Sequence, residues 1–322
     1  MQKYSNDVEA ANAMASTFHQ LRKEISKVVV GQDDVVRLVL TAIFCQGHSL
    51  LVGVPGLAKT LLIQTIGNTL DLHFKRIQFT PDLMPSDIVG SETMDKERNL
   101  HFVRGPVFSN IVLADEINRT PPKTQAALLE SMQEYAVTIS GQRYELPRPF
   151  FVLATQNPIE QEGTYPLPEA QLDRFMFNIQ LDYPSYEQEV SIVKSTTRDE
   201  FPKVQKTLEA EDIIAFQHLV RRVPVADNVV EYAVRLTHQT RPGAQGAALA
   251  NEFLEWGAGP RASQFLVLGA KCNALINGKY AHDIEDVQAV AKPVLRHRIV
   301  RNFKAEAEGM TVDQIVDRLM AG

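Results

Sequence analysis

The sequence carries the run Gly53-Val54-Pro55-Gly56-Leu57-Ala58-Lys59-Thr60 between a short apolar segment, Ser49–Val52, and a segment of helical periodicity, Thr60–Leu70. A strand, a glycine-containing turn and a helix in this order bind polyphosphates, because backbone N–H groups converge at the helix N-terminus, where the helix dipole favours negative charge. The run therefore predicts a phosphate-binding loop. The alternative is a glycine turn that a lysine happens to follow, and the flanking strand and helix favour the loop.

Each residue type in this loop has a task. Gly53 and Gly56 relieve steric crowding, so that the backbone can close around oxygen atoms. We expect Lys59 to neutralise the β- and γ-phosphates of a nucleotide and the Thr60 hydroxyl to bind Mg²⁺. The general pattern has a second glycine where this chain has Ala58. We expect alanine to be tolerated there because that residue already has helical backbone angles.

Further short apolar runs predict the strands of one sheet. Several are unbroken rather than alternating, as expected of strands that are buried on both faces. Helical segments such as Lys123–Tyr135 separate them, and this alternation predicts an α/β fold with a largely parallel sheet. Two inserted hairpins are predicted at Ser91–Arg104 and Ala136–Leu146. Besides Ser49–Val52, the predicted strands are Phe74–Phe79, Asn110–Ala114, Phe150–Ala154 and Phe175–Leu181.

Two acids, Asp115 and Glu116, directly follow the apolar residues Ile111–Ala114. Ligands of parallel sheets bind outside the carboxyl ends of the strands, so these acids should face the phosphate loop. Asp115 would then belong to the Mg²⁺ shell, and Glu116 would orient and deprotonate an attacking water. Taken alone, the pair is equally consistent with an acidic helix cap after a strand. The phosphate loop upstream favours the catalytic interpretation.

Three more polar residues are candidates for the same chemistry. Asn157 ends another buried run and could contact the γ-phosphate or the water, or simply form a turn before Pro158. Arg174 follows Asp173, with which it could form a salt bridge. Arg261 falls in the first turn of a helix, an unfavourable place for a cation unless an anion lies nearby. The residues alone leave both interpretations of each arginine open.

The second part of the sequence is predicted to be helical. Strand patterns stop after Tyr183-Pro184, and a charged stretch, Arg198–Lys206, reads as a linker. We therefore predict two domains, an α/β core with N-terminal helices over residues 1–184 and a small all-helical domain over residues 185–322. The predicted helices are Asp212–Arg222, Asn228–Arg241, Arg261–Gly278, Asp283–Arg298 and Thr311–Met320.

Composition narrows the functional classes. The 322 residues carry a net charge of -6, with Lys and Arg scattered, which argues against nucleic acid as a substrate. Cys45 and Cys272 match no metal or redox spacing and are expected to be small buried thiols. The polar N-terminus lacks the pattern of a secretory signal, and no apolar stretch approaches the roughly 20 residues of a membrane helix. These features predict a cytoplasmic protein without membrane insertion.

Taken together, the motifs resemble the AAA+ ATPases, and among them the MoxR family, over essentially the whole chain. The longest agreement is Gly163-Thr164-Tyr165-Pro166-Leu167-Pro168-Glu169-Ala170-Gln171-Leu172-Asp173-Arg174-Phe175. The segment Gly257-Ala258-Gly259-Pro260-Arg261-Ala262 departs slightly from the usual Gly-x-Ser-Pro-Arg form but keeps Pro-Arg-Ala. The other matching stretches are Val29-Val30-Gly31-Gln32, Gly47-His48, Leu113-Ala114-Asp115-Glu116-Ile117-Asn118-Arg119 and Thr155-Gln156-Asn157-Pro158.

This resemblance implies an AAA+ P-loop core with a five-stranded parallel sheet and a helical lid that bind ATP and Mg²⁺. Asn157 would be sensor 1, Arg174 the arginine finger that reaches the neighbouring subunit's nucleotide, and Arg261 sensor 2 on the lid. Val30 and Gly31 would lie near the adenine. The two hairpins would correspond to the family's helix-2 insertion and pre-sensor-1 hairpin.

The resemblance also implies a hexameric ring with chaperone-like action on protein clients, often ones with von Willebrand factor A domains. ATP would bind between core and lid, and the lid would move after hydrolysis. Three alternatives stay open from the sequence. They are a nucleotide-dependent binding switch or scaffold with slow hydrolysis, a chelatase-type ATPase subunit, and a DNA-directed motor, against which the acidic composition argues.

Overall fold

The structure is a computed structural model that describes residues 4–159, 163–199, 202–244 and 246–321. Helices and strands alternate in the first part of the chain. Up to residue 184 the elements are α1 (Asp7–Ile25), α2 (Asp33–Phe44), β1 (Ser49–Val52), α3 (Lys59–Thr69), β2 (Phe74–Gln78), α4 (Pro85–Val89), β3 (Gly90–Met94), β4 (Leu100–Arg104), β5 (Ile111–Asp115), α5 (Pro122–Glu134), β6 (Ala136–Ile139), β7 (Gln142–Glu145), β8 (Phe151–Gln156), α6 (Glu169–Leu172) and β9 (Phe177–Gln180).

The central sheet is parallel and has five strands in the order β2-β5-β8-β1-β9, which confirms the predicted α/β fold class. Its strands match the predicted apolar runs to within two residues at each end. The apolar residues of β5 and β8 are buried, as unbroken apolar runs require. Since β8 lies between β1 and β5, the segments that leave these three strands meet at one edge of the sheet.

Two antiparallel hairpins, β3–β4 and β6–β7, project from this core at the predicted positions. They pack against each other. The rings of Phe102 and Tyr144 lie 4.4 Å apart, and the Ser140 hydroxyl donates to Glu92 over 2.6 Å. The tip of the first hairpin instead faces outward, with Met94 62% and Leu100 64% exposed.

The remaining chain is mainly helical. In order, its elements are α7 (Tyr186–Thr196), α8 (Ala210–Arg222), α9 (Asp227–Gln239), α10 (Ala248–Phe253), β10 (Leu254–Trp256), α11 (Pro260–Ile276), α12 (Ile284–Leu295), β11 (Val300–Arg301), α13 (Phe303–Ala307) and α14 (Val312–Ala321). Residues 200–201 of the predicted linker lie outside the described residues. The described rest of that linker is neither helix nor strand.

The prediction that strands stop after Pro184, and hence that the lid is all helical, was wrong in one detail. β10 and β11 form a small antiparallel ribbon inside the lid, in which Trp256 pairs with Val300. Segments of three and two residues are too short to show the alternation that reveals a strand. Their pairing also depends on α11 and α12, which separate them in sequence and bring them together in space.

Lid and core share one apolar cluster. It contains residues of α1, α2, one face of the sheet and the lid helices. At this contact, Cys45 after α2 lies against α11, with its sulfur 3.5 Å from the Leu268 carbonyl oxygen. Burial raises the pKa of the Cys45 thiol well above its ordinary value. Both cysteines are free and buried, as predicted. The boundary at Pro184 thus separates two architectures that are packed together, and the division into two domains stays a prediction.

Candidate active site

The phosphate loop and the two acids face the same cavity. Its volume is about 460 Å³, and it opens at the carboxyl ends of β1, β5 and β8. The phosphate loop follows β1, and the two acids lie some sixty residues further along the chain at the end of β5. They meet because only β8 lies between these two strands. The cavity is lined by Pro55, Gly56, Leu57, Ala58, Lys59, Thr60, Leu61, Asp115, Glu116, Thr155 and Asn157.

The loop backbone differs from expectation at one position. Ala58 has left-handed angles (φ 55°, ψ 29°) and caps α3, so the expectation that it already has helical angles was wrong. For a residue with a Cβ this conformation costs about 1–2 kcal/mol, which explains why glycine is the general choice at this position. No side chain caps α3, and its first N–H groups remain available for an anion.

Lys59 at the start of α3 points back into the loop, where its ammonium group donates to the Gly53 carbonyl. Burial lowers the pKa of Lys59, while the nearby charges of Asp115 and Glu116 act in the opposite direction. Within the described residues this half-buried cation has one hydrogen-bond acceptor, a carbonyl, which it can exchange for phosphate oxygens.

Asp115 is held by two groups. One carboxylate oxygen accepts from the Thr155 hydroxyl at 2.6 Å, and the other accepts from the Arg76 guanidinium at 2.6 and 3.0 Å. The carboxylate of Asp115 and the hydroxyl of Thr60 are the oxygen donors that Mg²⁺ prefers, and both line the cavity. The residues therefore fit a Mg²⁺ site, and a metal there would share Asp115 with Arg76.

Glu116 is positioned through its backbone as well as its carboxylate. It has a left-handed conformation (φ 58°, ψ 49°), and its N–H donates to the Thr155 hydroxyl at 2.8 Å. Its carboxylate accepts from Gln78 at 2.9 Å and forms an ion pair with Arg119 at 3.1 Å. Strained backbone of this kind persists where the surroundings enforce it, commonly at functional sites. The result is a carboxyl group fixed at the cavity wall.

Asn157 follows β8 and is only 6% exposed. Its side-chain amide oxygen accepts from the Ile159 N–H at 3.2 Å, which is the turn geometry that the sequence allowed. Its amide nitrogen is buried and has no hydrogen-bond partner among the residues that the structure describes. Since the residue lines the cavity, this free donor is available to a phosphate oxygen or a water, and the two interpretations of Asn157 are compatible.

Val30 and Gly31 lie beside the loop. The Gln32 amide donates to the Leu57 carbonyl oxygen at 3.0 Å, which ties this segment to the loop. Gly31 has φ 77°, and a Cβ there would come within 2.7 Å of the Gln188 side chain on α7. The predicted adenine-contacting residues are therefore placed between the phosphate loop and the first lid helix.

His48 braces the strand that carries the loop. Its Nδ1 accepts from the Val152 N–H at 3.0 Å, so that nitrogen carries no proton, and its Nε2 donates to the Met132 carbonyl at 3.1 Å. Burial lowers the pKa of His48 to about 4. The neutral ring thereby links β8 and α5 directly next to the start of β1.

We predict that this histidine makes the fold sensitive to acid. Because the folded-state pKa lies below that of the unfolded chain, the unfolded state takes up the proton first as the pH falls from about 6.5 to about 4. The free energy of unfolding should fall by up to about 3 kcal/mol over that window. Urea midpoints of wild type and His48→Gln at several pH values test this. If the urea midpoints of the two proteins fell equally with pH, His48 would be ruled out as the cause of the acid sensitivity.

Arg174 and Arg261, the two arginines predicted to act on the nucleotide, are not among the described residues that line the cavity of the phosphate loop. Arg261 instead forms an ion pair with Asp173 at 3.1 Å, next to Arg174 in sequence. Within the described residues, Arg174 has no ion-pair partner. Arg261 and Asp173 thus form one group of charges between α11 and the end of α6.

Arg298 holds this group in place and was not predicted from the sequence as a site residue. It is 6% exposed, forms an ion pair with Asp173 at 2.7 Å and donates to the carbonyls of Asp173 and Phe175. Burial lowers its pKa to about 10, while Asp173 favours its charged form. In the sequence, Arg298 is the last residue of a predicted helix, and nothing in that pattern indicates that it pairs with Asp173. Gln78, Arg76 and Thr155 were missed for the same reason, since their roles depend on contacts between strands.

The sheet order and the loop–acid geometry define the class: the chain is a P-loop nucleotide-binding protein of the AAA type. Comparisons with known proteins agree. Residues 48–177 match the model of the ATPase family associated with various cellular activities, and residues 246–319 match the AAA lid domain. The chain is 41% identical to the chaperone MoxR1 of Mycobacterium tuberculosis, over 96% of this chain and 83% of that protein.

Two further relatives extend the comparison. A MoxR protein of Methylorubrum extorquens is 30% identical over 87% of this chain and 86% of its own length. A crystal structure from Cytophaga hutchinsonii, described as a candidate ATPase, superposes with a TM-score of 0.91 at 43% identity, over 97% of this chain and 96% of that one. The chain belongs to the MoxR family of AAA+ ATPases. In the described ranges, no helix combines the length and apolar character that crossing a membrane requires.

Proposed function

We propose that the chain hydrolyses ATP and uses the energy to remodel client proteins as a ring oligomer. The convergence of the phosphate loop with Asp115 and Glu116 on one cavity carries this proposal. Lys59 and the loop N–H groups bind the phosphates, and Thr60 and Asp115 hold Mg²⁺, which offsets charge on the phosphate oxygens. Glu116 accepts the proton of the attacking water, and Asn157 donates to the water or the γ-phosphate.

The site is completed by a neighbouring copy. Among the described residues, the lining of the cavity includes Lys59 but no arginine, whereas Arg261 and Arg298 pair with Asp173, the residue before Arg174. One surface thus holds the phosphates, and the other carries these arginines. Two copies arranged head to tail bring these surfaces together, and repeating the contact closes a ring. Arg174 and Arg261 then act on the nucleotide of the next subunit.

Protein clients are proposed to bind at the hairpins. Met94 and Leu100, paired at the tip of β3–β4, are exposed apolar residues on a projecting element whose Phe102 packs against Tyr144 of the second hairpin and against Phe108. Loss of the γ-phosphate is proposed to let the lid move against the core, with which it shares an apolar cluster, and the hairpins pass this motion to the client. The similarity to the chaperone MoxR1 supports a chaperone role, and a partner with a von Willebrand factor A domain is one proposed client.

Turnover per subunit should therefore depend on protein concentration. Dilution separates each nucleotide from the arginines of its neighbour, so the specific rate should fall steeply once the rings dissociate. Phosphate release measured over a dilution series, with sedimentation velocity on the same samples, tests this expectation. A specific rate that stays constant while the protein becomes monomeric would contradict the shared site.

A further inference from the structure

We propose that Arg76 on β2 is a built-in cation that balances the charge of Asp115 whenever no metal is bound. Arg76 pairs with Asp115 in the metal-free protein and releases this carboxylate when Mg²⁺ and ATP bind together. It is a positioning residue, because it acts on the metal through Asp115. This inference deepens the proposed function and rests on it, since it concerns how the same site couples the nucleotide to the metal.

The Arg76 guanidinium contacts the end of β5 through two of its nitrogen atoms. Both donate to the same oxygen of Asp115, at 2.6 and 3.0 Å, and one of them also donates to the Gln78 side chain. Arg76 and Gln78 are two positions apart on β2, so they lie on one face of the sheet. Gln78 is next to Asp115 in the register of β2 and β5, and this strand pairing places the cation beside Asp115.

Two partners share Asp115, and they differ in their freedom to move. The second carboxylate oxygen accepts from the Thr155 hydroxyl at 2.6 Å, and Thr155 is 1% exposed in the central strand β8. The Arg76 side chain is 46% exposed on the edge strand β2. Both oxygens of Asp115 thus have a partner before a metal arrives, and Arg76 is the partner that can turn into water.

The charges around Asp115 determine what Arg76 does to each ligand. Mg²⁺ held by Thr60 and Asp115 would place two positive charges beside the guanidinium, and like charges a few ångströms apart repel each other. For the nucleotide alone the effect is opposite, because Asp115 would face the triphosphate uncompensated if Arg76 were missing. Within the described part of the chain, Arg76 is the one residue that forms an ion pair with Asp115. Arg76 therefore favours metal-free nucleotide and opposes the metal.

Nucleotide affinity with and without metal tests this role in the absence of turnover. The dissociation constant of a fluorescent, non-hydrolysable ATP analogue should be measured in EDTA and in excess Mg²⁺ for wild type and Arg76→Gln. Loss of the positive charge should weaken binding in EDTA but not in Mg²⁺, so the ratio of the EDTA constant to the Mg²⁺ constant should rise by about fivefold or more. Arg76→Lys, which restores the charge, should return this ratio close to the wild-type value.

Lys75→Gln is the matched control for Arg76→Gln. Lys75 is exposed one position earlier on the same strand, so its side chain points to the opposite face of the sheet, and the substitution removes the same charge. Its ratio should equal that of wild type, and an equal rise in Lys75→Gln would overturn the proposal. Equal weakening of Arg76→Gln in EDTA and in Mg²⁺, as a general loss of structure would cause, leaves the ratio unchanged and would also overturn it.

The outcome is distinguishable from failure of the proposed function. The ratio of the two dissociation constants requires nucleotide binding but neither hydrolysis nor assembly. A protein that hydrolyses ATP, while Arg76→Gln leaves the ratio unchanged, refutes this inference alone. A wild-type protein that binds the analogue neither in EDTA nor in Mg²⁺ refutes both the inference and the proposed function.

Discussion

Glu116→Gln is expected to lower the rate of ATP hydrolysis by about 10²–10⁴-fold, the range that a general base contributes. The amide keeps the shape, its oxygen can still accept from Gln78, and the backbone N–H still donates to Thr155, but the amide cannot accept the proton of the attacking water. Nucleotide binding should persist, since Lys59 and the loop are untouched. Single-turnover hydrolysis and the affinity for a fluorescent ATP analogue measure the two quantities separately.

The control for Glu116→Gln is Glu285→Gln, which makes the same chemical change on the exposed surface of α12. It should behave as wild type in both assays. Hydrolysis by Glu116→Gln at nearly the wild-type rate would exclude Glu116 as the base. Loss of nucleotide affinity together with turnover would instead assign it a role in binding.

Arg174→Ala is expected to reduce turnover by about 10³–10⁵-fold, the effect of removing an arginine finger. The guanidinium is expected to stabilise charge on the transferring phosphoryl group. The arginines of the same chain next to the cavity, Arg76 and Arg119, are already paired with Asp115 and Glu116. Binding of ATP to each subunit should be nearly unchanged, because the missing group comes from the neighbour. Steady-state rates at concentrations above the assembly midpoint measure the effect.

Arg318→Ala on the exposed face of α14 is the matched control for Arg174→Ala and should retain full turnover. The assembly state of both variants should be measured by sedimentation, because loss of the ring would also lower the rate. Full activity of an assembled Arg174→Ala ring would exclude the arginine-finger role.

The sheet was predictable from sequence because its strands are unbroken apolar runs that end in polar residues. The position of Asp115 after Ile111–Ala114 was enough to place it beside the loop, since parallel strands share one functional edge. The structure adds the reason: β8 lies between β1 and β5 and contributes Thr155, which bonds both Asp115 and Glu116.

Other features had no local signal. The left-handed angles of Ala58 contradict the preference of alanine and depend on the closed loop around it. The β10–β11 ribbon and the grouping of Arg261, Asp173 and Arg298 arise from residues that are distant in sequence and meet through lid packing. Spacing along the chain carries no information about such contacts.

Mixing two inactive proteins tests the shared active site most directly. Glu116→Gln subunits keep Arg174, and Arg174→Ala subunits keep the base, so neither forms a complete site alone. In an equal mixture that has exchanged subunits, roughly a quarter of the sites should combine a Glu116 with an Arg174 from the next copy and regain turnover. Recovery of that activity is the result we predict. A mixture no more active than the two separate proteins would contradict a site built from two copies.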